Sequence, residues 1–190
     1  MRIIGGTMRG TKLFTLEGEN TRPTLDRVKE ALFSKINFNL QDAIVLDLFS
    51  GSGALALESL SRGAKKSYLC DKSRDAIKII NQNIDKTRTK DKTVLLNCDY
   101  KKALEEIKKM NIKFDVVFLD PPYKSDFAED AAKSIIELEL LNKDGIIVLE
   151  TDNKEKVIEN LDTNIFEIND IKRYGRVYLL FLHSMEKINN

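Results

Sequence analysis

The chain has no tryptophan, one histidine, two cysteines and three prolines among its 190 residues. The cysteines, Cys70 and Cys98, lack the paired spacing of metal-binding motifs, so we expect no metal site and a reduced, cytoplasmic protein. His183 lies close to the end of the chain, and we assign it no role as a general base. The expected chemistry therefore uses neither a metal nor histidine.

Long hydrophobic runs and an excess of one charge are also missing. No apolar run approaches the ~18 residues of a membrane helix, and the opening MRIIGGTMRGTKLF has no apolar segment typical of a signal peptide. The net charge is +1, so any nucleic-acid surface must come from local clusters of basic residues. With 42% hydrophobic residues, the composition indicates one ordinary globular unit, which we expect to be a monomer.

From residue 43 onward, apolar runs alternate with segments of helical period. The runs predict strands at 43–49, 67–71, 93–99, 114–120 and 145–151. The helical spacing predicts helices at 54–62, 73–86 with Ser73 as N-cap, 100–110 and 126–141. Four strand-then-helix units in series predict a parallel sheet that is covered by helices on both faces.

The two ends of the chain depart from this pattern. Residues 163–183 predict two strands joined by a short turn, and so an antiparallel edge to the sheet. Residues 2–6 and 11–16 predict a hairpin, and 24–36 a helix that Thr24 can cap. We predict an N-terminal extension (1–40) of hairpin plus helix. Residues 41–190 then form an α/β domain with a doubly wound, mostly parallel seven-stranded sheet whose last strand is antiparallel.

The first strand runs into a glycine loop, LDLFSGSGALALE (46–58). Gly51 and Gly53 allow close approach of the backbone to a ligand, and the following helix presents free N–H groups. Taken literally, the loop fits G-x-G-x-x-A, so a dinucleotide-dependent oxidoreductase with a nicotinamide or flavin is one interpretation. The glycine pattern alone is weak evidence for any one ligand, so the residues around the loop must distinguish between the alternatives.

Three carboxylates, Asp47, Asp71 and Asp99, end three successive strands. Asp47 close to the loop would repel a pyrophosphate but attract a cationic amine, such as the α-amino group of S-adenosylmethionine. Asp71, twenty residues after Gly51, is placed to accept from both hydroxyls of a ribose, and Asp99 from an adenine amino group. The combination favours S-adenosylmethionine over a dinucleotide.

The fourth strand ends in FDVVFLDPPY (114–123). Pro121 and Pro122 stiffen the turn, so the Asp120 carboxylate and the Pro121 carbonyl remain as hydrogen-bond acceptors. Two acceptors can hold the hydrogens of an exocyclic amine on a base and direct its nitrogen lone pair at a methyl sulfonium. Tyr123 can stack on that base. The stretch therefore predicts an amino-methyltransferase in which positioning provides most of the catalysis.

LDLFSGSGALALESLSRGA together with FLDPPY resembles class I S-adenosylmethionine-dependent amino-methyltransferases. RIIGGTMRGTKL and TRPTLDRVKEALF are similar to the RsmD-type family of 16S rRNA guanine-N2 methyltransferases, and the resemblance extends to YGRVYLLF, over nearly the full chain. The family implies methylation of N2 of guanine 966 in an assembled or nearly assembled small ribosomal subunit, with S-adenosylmethionine as cofactor. Ala56, where glycine is usual, and Asp71, where glutamate is common, depart slightly from the family pattern.

The resemblance also implies roles for individual residues. Asp47, Gly51, Gly53 and Thr24 would lie by the methionine part of the cofactor, Asp71 by the ribose and Asp99 by the adenine. Asp120, Pro121, Pro122 and Tyr123 would hold the guanine. Neighbouring residues complete the candidate cofactor contacts: Phe49, Ser50, Lys72 and Tyr100.

Basic residues cluster near both ends of the chain. Candidate phosphate contacts are Arg2, Arg9, Lys12, Arg22, Arg27, Lys172, Arg173 and Arg176.

The nearest rival function is a DNA adenine-N6 methyltransferase, because DPPY would suit an adenine amine equally well. That rival lacks space, since only a βαβα run separates the glycine loop from Asp120 and leaves no DNA-reading domain. A non-catalytic RNA-binding protein of the same fold is a further alternative.

Overall fold

The structure, a computed structural model, describes residues 1–16, 23–121 and 127–185, and within these it forms six α-helices and seven strands. The helices are α1 (Pro23–Lys35), α2 (Ala54–Ser61), α3 (Arg74–Thr87), α4 (Tyr100–Lys109), α5 (Phe127–Glu137) and α6 (Lys154–Asn160). The strands are β1 (Ile44–Asp47), β2 (Lys66–Cys70), β3 (Thr93–Leu96), β4 (Phe114–Leu119), β5 (Leu141–Thr151), β6 (Phe166–Tyr174) and β7 (Val177–Ser184). No helix in these ranges is long and apolar enough to cross a membrane.

The strands form one sheet in the order β3-β2-β1-β4-β5-β7-β6. Strands β1 to β5 pair in parallel, and β7 runs antiparallel to both β5 and β6. The predicted doubly wound, mostly parallel sheet with an antiparallel last strand is confirmed. That strand does not form the edge of the sheet, however. After β5 the chain passes through α6 to β6, which is the edge strand, and β7 then lies between β5 and β6. The strand order reverses between β1 and β4, where open α/β sheets bind ligands.

Both faces of the sheet are covered, because neighbouring residues of each strand point to opposite sides. Val45 and Val116 join a buried cluster with apolar residues of α1, α2 and α3. Leu46 and Val117 join a second cluster with α4, α5 and α6. The alternating chain pattern is thus explained by two apolar layers that share one sheet.

Some element bounds differ from those predicted. Strand β5 begins at Leu141 rather than 145, since backbone pairing with β4 continues through the polar stretch and is interrupted by a register shift between Phe114 and Val116. Helix α6 was not predicted, because its seven residues are too few for a clear period. Helix α1 begins at Pro23, so Thr24 lies inside the first turn and its predicted N-cap role is wrong.

The N-terminal segment forms a small version of the predicted hairpin. A single antiparallel bridge joins Arg2 and Lys12, and Ile3 exchanges backbone hydrogen bonds with Thr11 and Gly10. Ile3 and Leu13 are buried in the same apolar cluster as α1, α2 and α3. The division at residue 40 stays a prediction, but the first 16 residues are packed on the rest of the fold.

Asn83 of α3 connects this segment to the glycine loop. Its side chain is fully buried, and its amide accepts from the Phe14 N–H at 2.8 Å. The same amide donates to the Phe14 carbonyl at 3.0 Å and to the Ser52 carbonyl at 2.9 Å. One side chain therefore satisfies three backbone groups from two separate segments.

We expect Asn83→Ala to lower the free energy of unfolding by about 3 kcal/mol, because it leaves buried backbone groups without partners. Urea denaturation would measure the loss. The control is Asn81→Ala in the same helix, where the side chain is exposed and donates only to the Ile77 carbonyl. We expect this control to change stability by less than about 0.5 kcal/mol. An equal loss in both variants would contradict the role given to Asn83.

Candidate active site

The loop between β1 and α2 is a tight turn that requires glycine at two positions. Gly51 and Gly53 have φ angles of 53° and 78°, in the left-handed region that glycine adopts readily. A Cβ atom on Gly53 would also lie only 3.0 Å from the Leu69 side chain of β2. Glycine therefore allows both the turn and its close packing on the sheet.

Hydrogen bonds from two strands fix this loop. The Ser50 hydroxyl donates to the Asp47 carbonyl at 2.7 Å and accepts from the Cys70 N–H at 3.1 Å. The Ser50 N–H donates to the Cys70 carbonyl at 2.9 Å. The Gly51 N–H donates to the Asp71 carboxylate at 2.9 Å. The loop backbone is thus held in place by the ends of both β1 and β2.

Asp47 is a buried carboxylate at the end of β1. Its side chain is almost fully enclosed, and one oxygen accepts from the Ala56 N–H at 3.3 Å. Burial raises the pKa of Asp47 to about 7, and the nearby charge of Asp71 adds to the effect. A cationic group placed beside Asp47 would restore its ionised form.

The other two strand-end acids accept backbone hydrogen bonds where the next helices begin. Ser73 is the N-cap of α3, as predicted, and Asp99 is the N-cap of α4. Asp71 accepts from the Ser73 N–H at 2.8 Å with the oxygen that Gly51 does not use. Asp99 accepts from the N–H groups of Lys101 and Lys102, at 3.0 and 3.2 Å. Each carboxylate has about four acceptor sites, so these contacts fix the side chains and leave capacity for hydroxyl or amine donors.

An aromatic wall adjoins Asp99. Tyr100 packs between Phe49 and Phe127, with ring centroids 5.5 and 5.4 Å apart. The Tyr100 hydroxyl donates to Asp130 of α5 at 2.7 Å. Burial, and after it this hydrogen bond, raises the pKa of Tyr100 well above its usual value. The Lys72 ammonium nitrogen lies 5.9 Å from the centroid of the Phe127 ring. The wall offers an apolar surface for a flat ring.

These groups meet in a cavity of about 600 Å³ at the carboxyl ends of the strands. Ten of the predicted site residues line it: Asp47, Phe49, Ser50, Gly51, Asp71, Lys72, Asp99, Tyr100, Asp120 and Pro121. The volume suits a small-molecule cofactor together with part of a substrate. The structure therefore brings together residues that are up to 74 positions apart in sequence.

Four further predicted residues are not seen in the cavity. Gly53 lies behind the loop, against Leu69. Thr24 is in α1, but its side chain is outside the described part of the chain, and so are Pro122 and Tyr123 entirely.

Several residues that line the cavity were not predicted from the sequence, among them Met1, Val28, Lys29, Leu32, Phe127 and Glu150. Val28, Lys29 and Leu32 come from α1, which the sequence indicates to be amphipathic but does not place against the glycine loop. Glu150 follows the apolar run of β5, so it carries the same strand-end signal as the three predicted aspartates.

Lys29 belongs to a buried ionic cluster beneath the N-terminal segment. Its ammonium lies 3.1 Å from the fully buried Glu58 carboxylate and donates to the Arg2 carbonyl at 2.7 Å. Arg62 contacts the same carboxylate at 2.8 Å, and the backbone N–H groups of residues 4 and 5 donate to it at 2.9 and 2.8 Å. Burial lowers the pKa of Lys29, and the Glu58 charge opposes that shift. The cluster fixes the N-terminal segment to α1 and α2.

Basic residues border a second cavity of about 360 Å³ on the N-terminal segment. Arg2, Arg9 and Arg27 line it, together with Asp26 and Glu30. Arg2 contacts the Asp26 carboxylate at 3.1 Å, and Lys12 pairs with Arg2 in the hairpin. Arg22 lies outside the described residues. The three arginines give this surface a positive character despite the two acids.

The remaining predicted basic residues lie near the β6–β7 turn. Thr151, the last residue of β5, pairs with Tyr178. The turn therefore projects from the carboxyl ends of the parallel strands, where the first cavity also lies. Lys172 contacts Asp170 at 3.3 Å, and Arg173 lies 5.5 Å from the Tyr178 ring. Arg176 is in the turn itself.

The fold, with its cavity at the carboxyl ends of the strands, is that of the class I S-adenosylmethionine-dependent methyltransferases, and the comparisons agree. A solved Escherichia coli structure described as the methyltransferase yhhF has a TM-score of 0.80 and 27% identity, with 97% of both chains covered. The chain belongs to the RsmD-type family, since the Conserved hypothetical protein 95 model matches residues 1–183.

Two curated relatives support this membership. Ribosomal RNA small subunit methyltransferase D of Haemophilus influenzae is 35% identical over 161 residues, covering 83% of this chain and 82% of that protein. The protein of the same name from Escherichia coli K12 is 32% identical over 152 residues, covering 80% and 75%. These relatives favour neither the DNA methyltransferase nor the oxidoreductase alternative.

We expect cofactor affinity to rise roughly tenfold between about pH 5.5 and 7.5. Asp47, whose pKa is about 7, is largely protonated at the lower pH, and binding of a cationic amine must then displace that proton. Calorimetry in buffers of different ionisation enthalpy would detect proton release at low pH. Asp47→Asn should bind weakly at both values and release no such proton, and unchanged proton release in that variant would contradict the prediction.

Proposed function

We propose that this chain methylates the exocyclic N2 of one guanine of 16S rRNA, guanine 966, in the small ribosomal subunit. The observation that carries the proposal is that Asp120 and Pro121 line the same cavity as the glycine loop and the strand-end acids. The names of the family's curated relatives supply the substrate class. An rRNA substrate in turn implies a cytoplasmic enzyme.

The cofactor half of the cavity is assigned to the ends of β1, β2 and β3. Asp47 would hold the amine, Asp71 the ribose hydroxyls and Asp99 the adenine amino group. Gly51 would allow the loop backbone to approach the methionine part, Gly53 would allow the turn behind it, and Thr24 is assigned to the same part of the cofactor. Bound S-adenosylmethionine supplies the methyl group on its sulfonium. Phe49, Ser50, Lys72 and Tyr100 complete the contacts.

The base half of the cavity is assigned to the end of β4. The Asp120 carboxylate and the Pro121 carbonyl would accept the two N2 hydrogens of guanine, which favours a pyramidal nitrogen. They also stabilise the positive charge that develops on that nitrogen, and water removes the proton after transfer. Pro122 and Tyr123, outside the described residues, would stiffen the turn and stack on the base.

The charges of the cavity limit what part of an RNA can enter. Five of its described lining residues are acidic: Asp47, Asp71, Asp99, Asp120 and Glu150. Of its two lysines, Lys29 is already paired with Glu58. A phosphate would be repelled, so only a base turned out of its stack can enter. The arginines around the second cavity and the β6–β7 turn would hold the neighbouring phosphates.

The wider substrate is proposed to be the assembled or nearly assembled subunit. A protein of net charge +1 has little long-range attraction for RNA. Ribosomal proteins would then supply part of the docking surface, and the enzyme would act as a monomer. Methyl-labelled cofactor, supplied with unmodified subunits, naked 16S rRNA or duplex DNA, tests this after digestion to nucleosides. N2-methylguanosine from subunits alone supports it, and N6-methyladenine from DNA overturns it.

Asp120→Ala should reduce methyl transfer by at least about 10³-fold, since it removes an acceptor that positions and stabilises the reacting amine. Cofactor affinity should change less than about threefold, because the cofactor contacts lie on other strands. Single-turnover methylation and calorimetry would measure the two effects. Asp144→Asn, exposed near the opposite end of β5, is the control. Transfer at the wild-type rate by Asp120→Ala would refute the assignment.

Arg9→Ala and Arg27→Ala should each weaken binding to small subunits, because each removes a phosphate contact. Each should also lower the slope of log affinity against log salt by about 1. Filter binding at several salt concentrations would measure both quantities. Lys109→Ala, exposed at the far end of α4, should change neither. A salt slope unchanged in both arginine variants would exclude this surface from RNA contact.

A further inference from the structure

Glu150 lies beside Asp120, the residue that follows β4. In the parallel pairing of β4 and β5, Leu119 is the partner of Leu149, so the next positions bring Asp120 and Glu150 together. Neighbouring strands are about 4.8 Å apart. Both side chains line the first cavity. Asp120 and Glu150 are thus close enough for the edge of one base to meet both.

The strand order assigns Glu150 to the substrate side of the cavity. In the order β3-β2-β1-β4-β5, the proposed cofactor acids end the first three strands. Asp120 follows β4, and Glu150 lies on β5, the strand farthest from Asp99 in this series. If the cofactor occupies the ends of β1 to β3, Glu150 and Asp120 both face the part of the cavity that remains for the substrate.

The backbone holds Glu150 in a fixed position. Strand β5 is interior to the sheet, with β4 on one side and β7 on the other, and Glu150 pairs with Leu179 of β7. Side chains on such interior strands are positioned more accurately than those on loops. A carboxylate in this place can therefore discriminate between bases.

Guanine carries two neighbouring donors on its Watson–Crick edge, N1–H and the N2 amine. If Asp120 and Pro121 accept from the amine, N1–H needs an acceptor of its own. Adenine and cytosine instead present a ring-nitrogen lone pair next to their amine, which a carboxylate repels. A buried polar group left facing the wrong partner imposes a large selectivity.

We propose that Glu150 accepts the N1–H of the target guanine and selects guanine over adenine and cytosine. This rests on the proposed function, since it requires that the reacting group is the N2 amine of guanine. Glu150 is then a specificity residue that contacts the substrate, while Asp120 acts on the amine itself.

The test compares guanine with 2-aminopurine, which keeps the N2 amine but has a lone pair at N1. Small subunits are reconstituted with either base at the target position. Wild-type protein should prefer guanine by at least about 100-fold in kcat/KM. Glu150→Gln should lower that ratio at least tenfold, because its amide N–H can donate to N1 of 2-aminopurine. Glu159→Gln, exposed on α6, should keep the wild-type ratio.

Each result has a distinct consequence. Equal wild-type rates on the two bases would overturn the role of Glu150, whatever the stability of the variant. So would a Glu150→Gln variant that folds and binds cofactor but keeps the wild-type ratio. In both cases N2-methylguanosine would still support the proposed function. No N2-methylated product from the guanine subunits would overturn both proposals together.

Discussion

The turn that leaves β1 and begins α2 controls the geometry of the site. It requires left-handed backbone at Gly51 and Gly53. The turn is held against the end of β2 because the Ser50 hydroxyl accepts from the Cys70 N–H and the Asp71 carboxylate accepts from the Gly51 N–H. Asp71 therefore has two roles, since its carboxylate both fixes the loop and faces the cavity. A shifted register in β2 would therefore displace the loop and this carboxylate together.

Helix α2 connects this loop to the N-terminal segment. Its first residues follow the glycine loop, while Glu58 and Ser61 near its end form hydrogen bonds with residues 4, 5 and 8. Glu58 is fully buried, and its charge is matched by Lys29 and Arg62 and by two backbone N–H groups. Removing one member of such a buried pair leaves an uncompensated charge, which costs about 3–5 kcal/mol. The glycine loop and the arginine-lined surface are thus both connected to a single helix.

Much of the fold and of the site follows from local pattern. Apolar runs located the strands, helical period located α2 to α5, and acids at strand ends marked the cavity. Local pattern did not predict residues whose role depends on contacts distant in sequence. Asn83 is one of them, since its partners Phe14 and Ser52 are 69 and 31 positions away. Lys29 was missed for the same reason, because its environment is created by Glu58 of another helix. Glu150 carried the same strand-end signal, but its position next to Asp120 follows only from the pairing of Leu119 with Leu149.

The net charge of +1 conceals a separation of charge that suits the proposed chemistry. Carboxylates gather inside the cavity, where they favour a cationic cofactor and hydrogen-bond donors of a neutral base. Arginines gather outside it, on the N-terminal segment and near the β6–β7 turn. A nucleotide that approaches this surface is attracted through its phosphate and repelled from the cavity by the same phosphate. If only the base enters the cavity, the phosphate can stay near the arginines and away from the carboxylates. The charge distribution therefore favours a base that has left its stack.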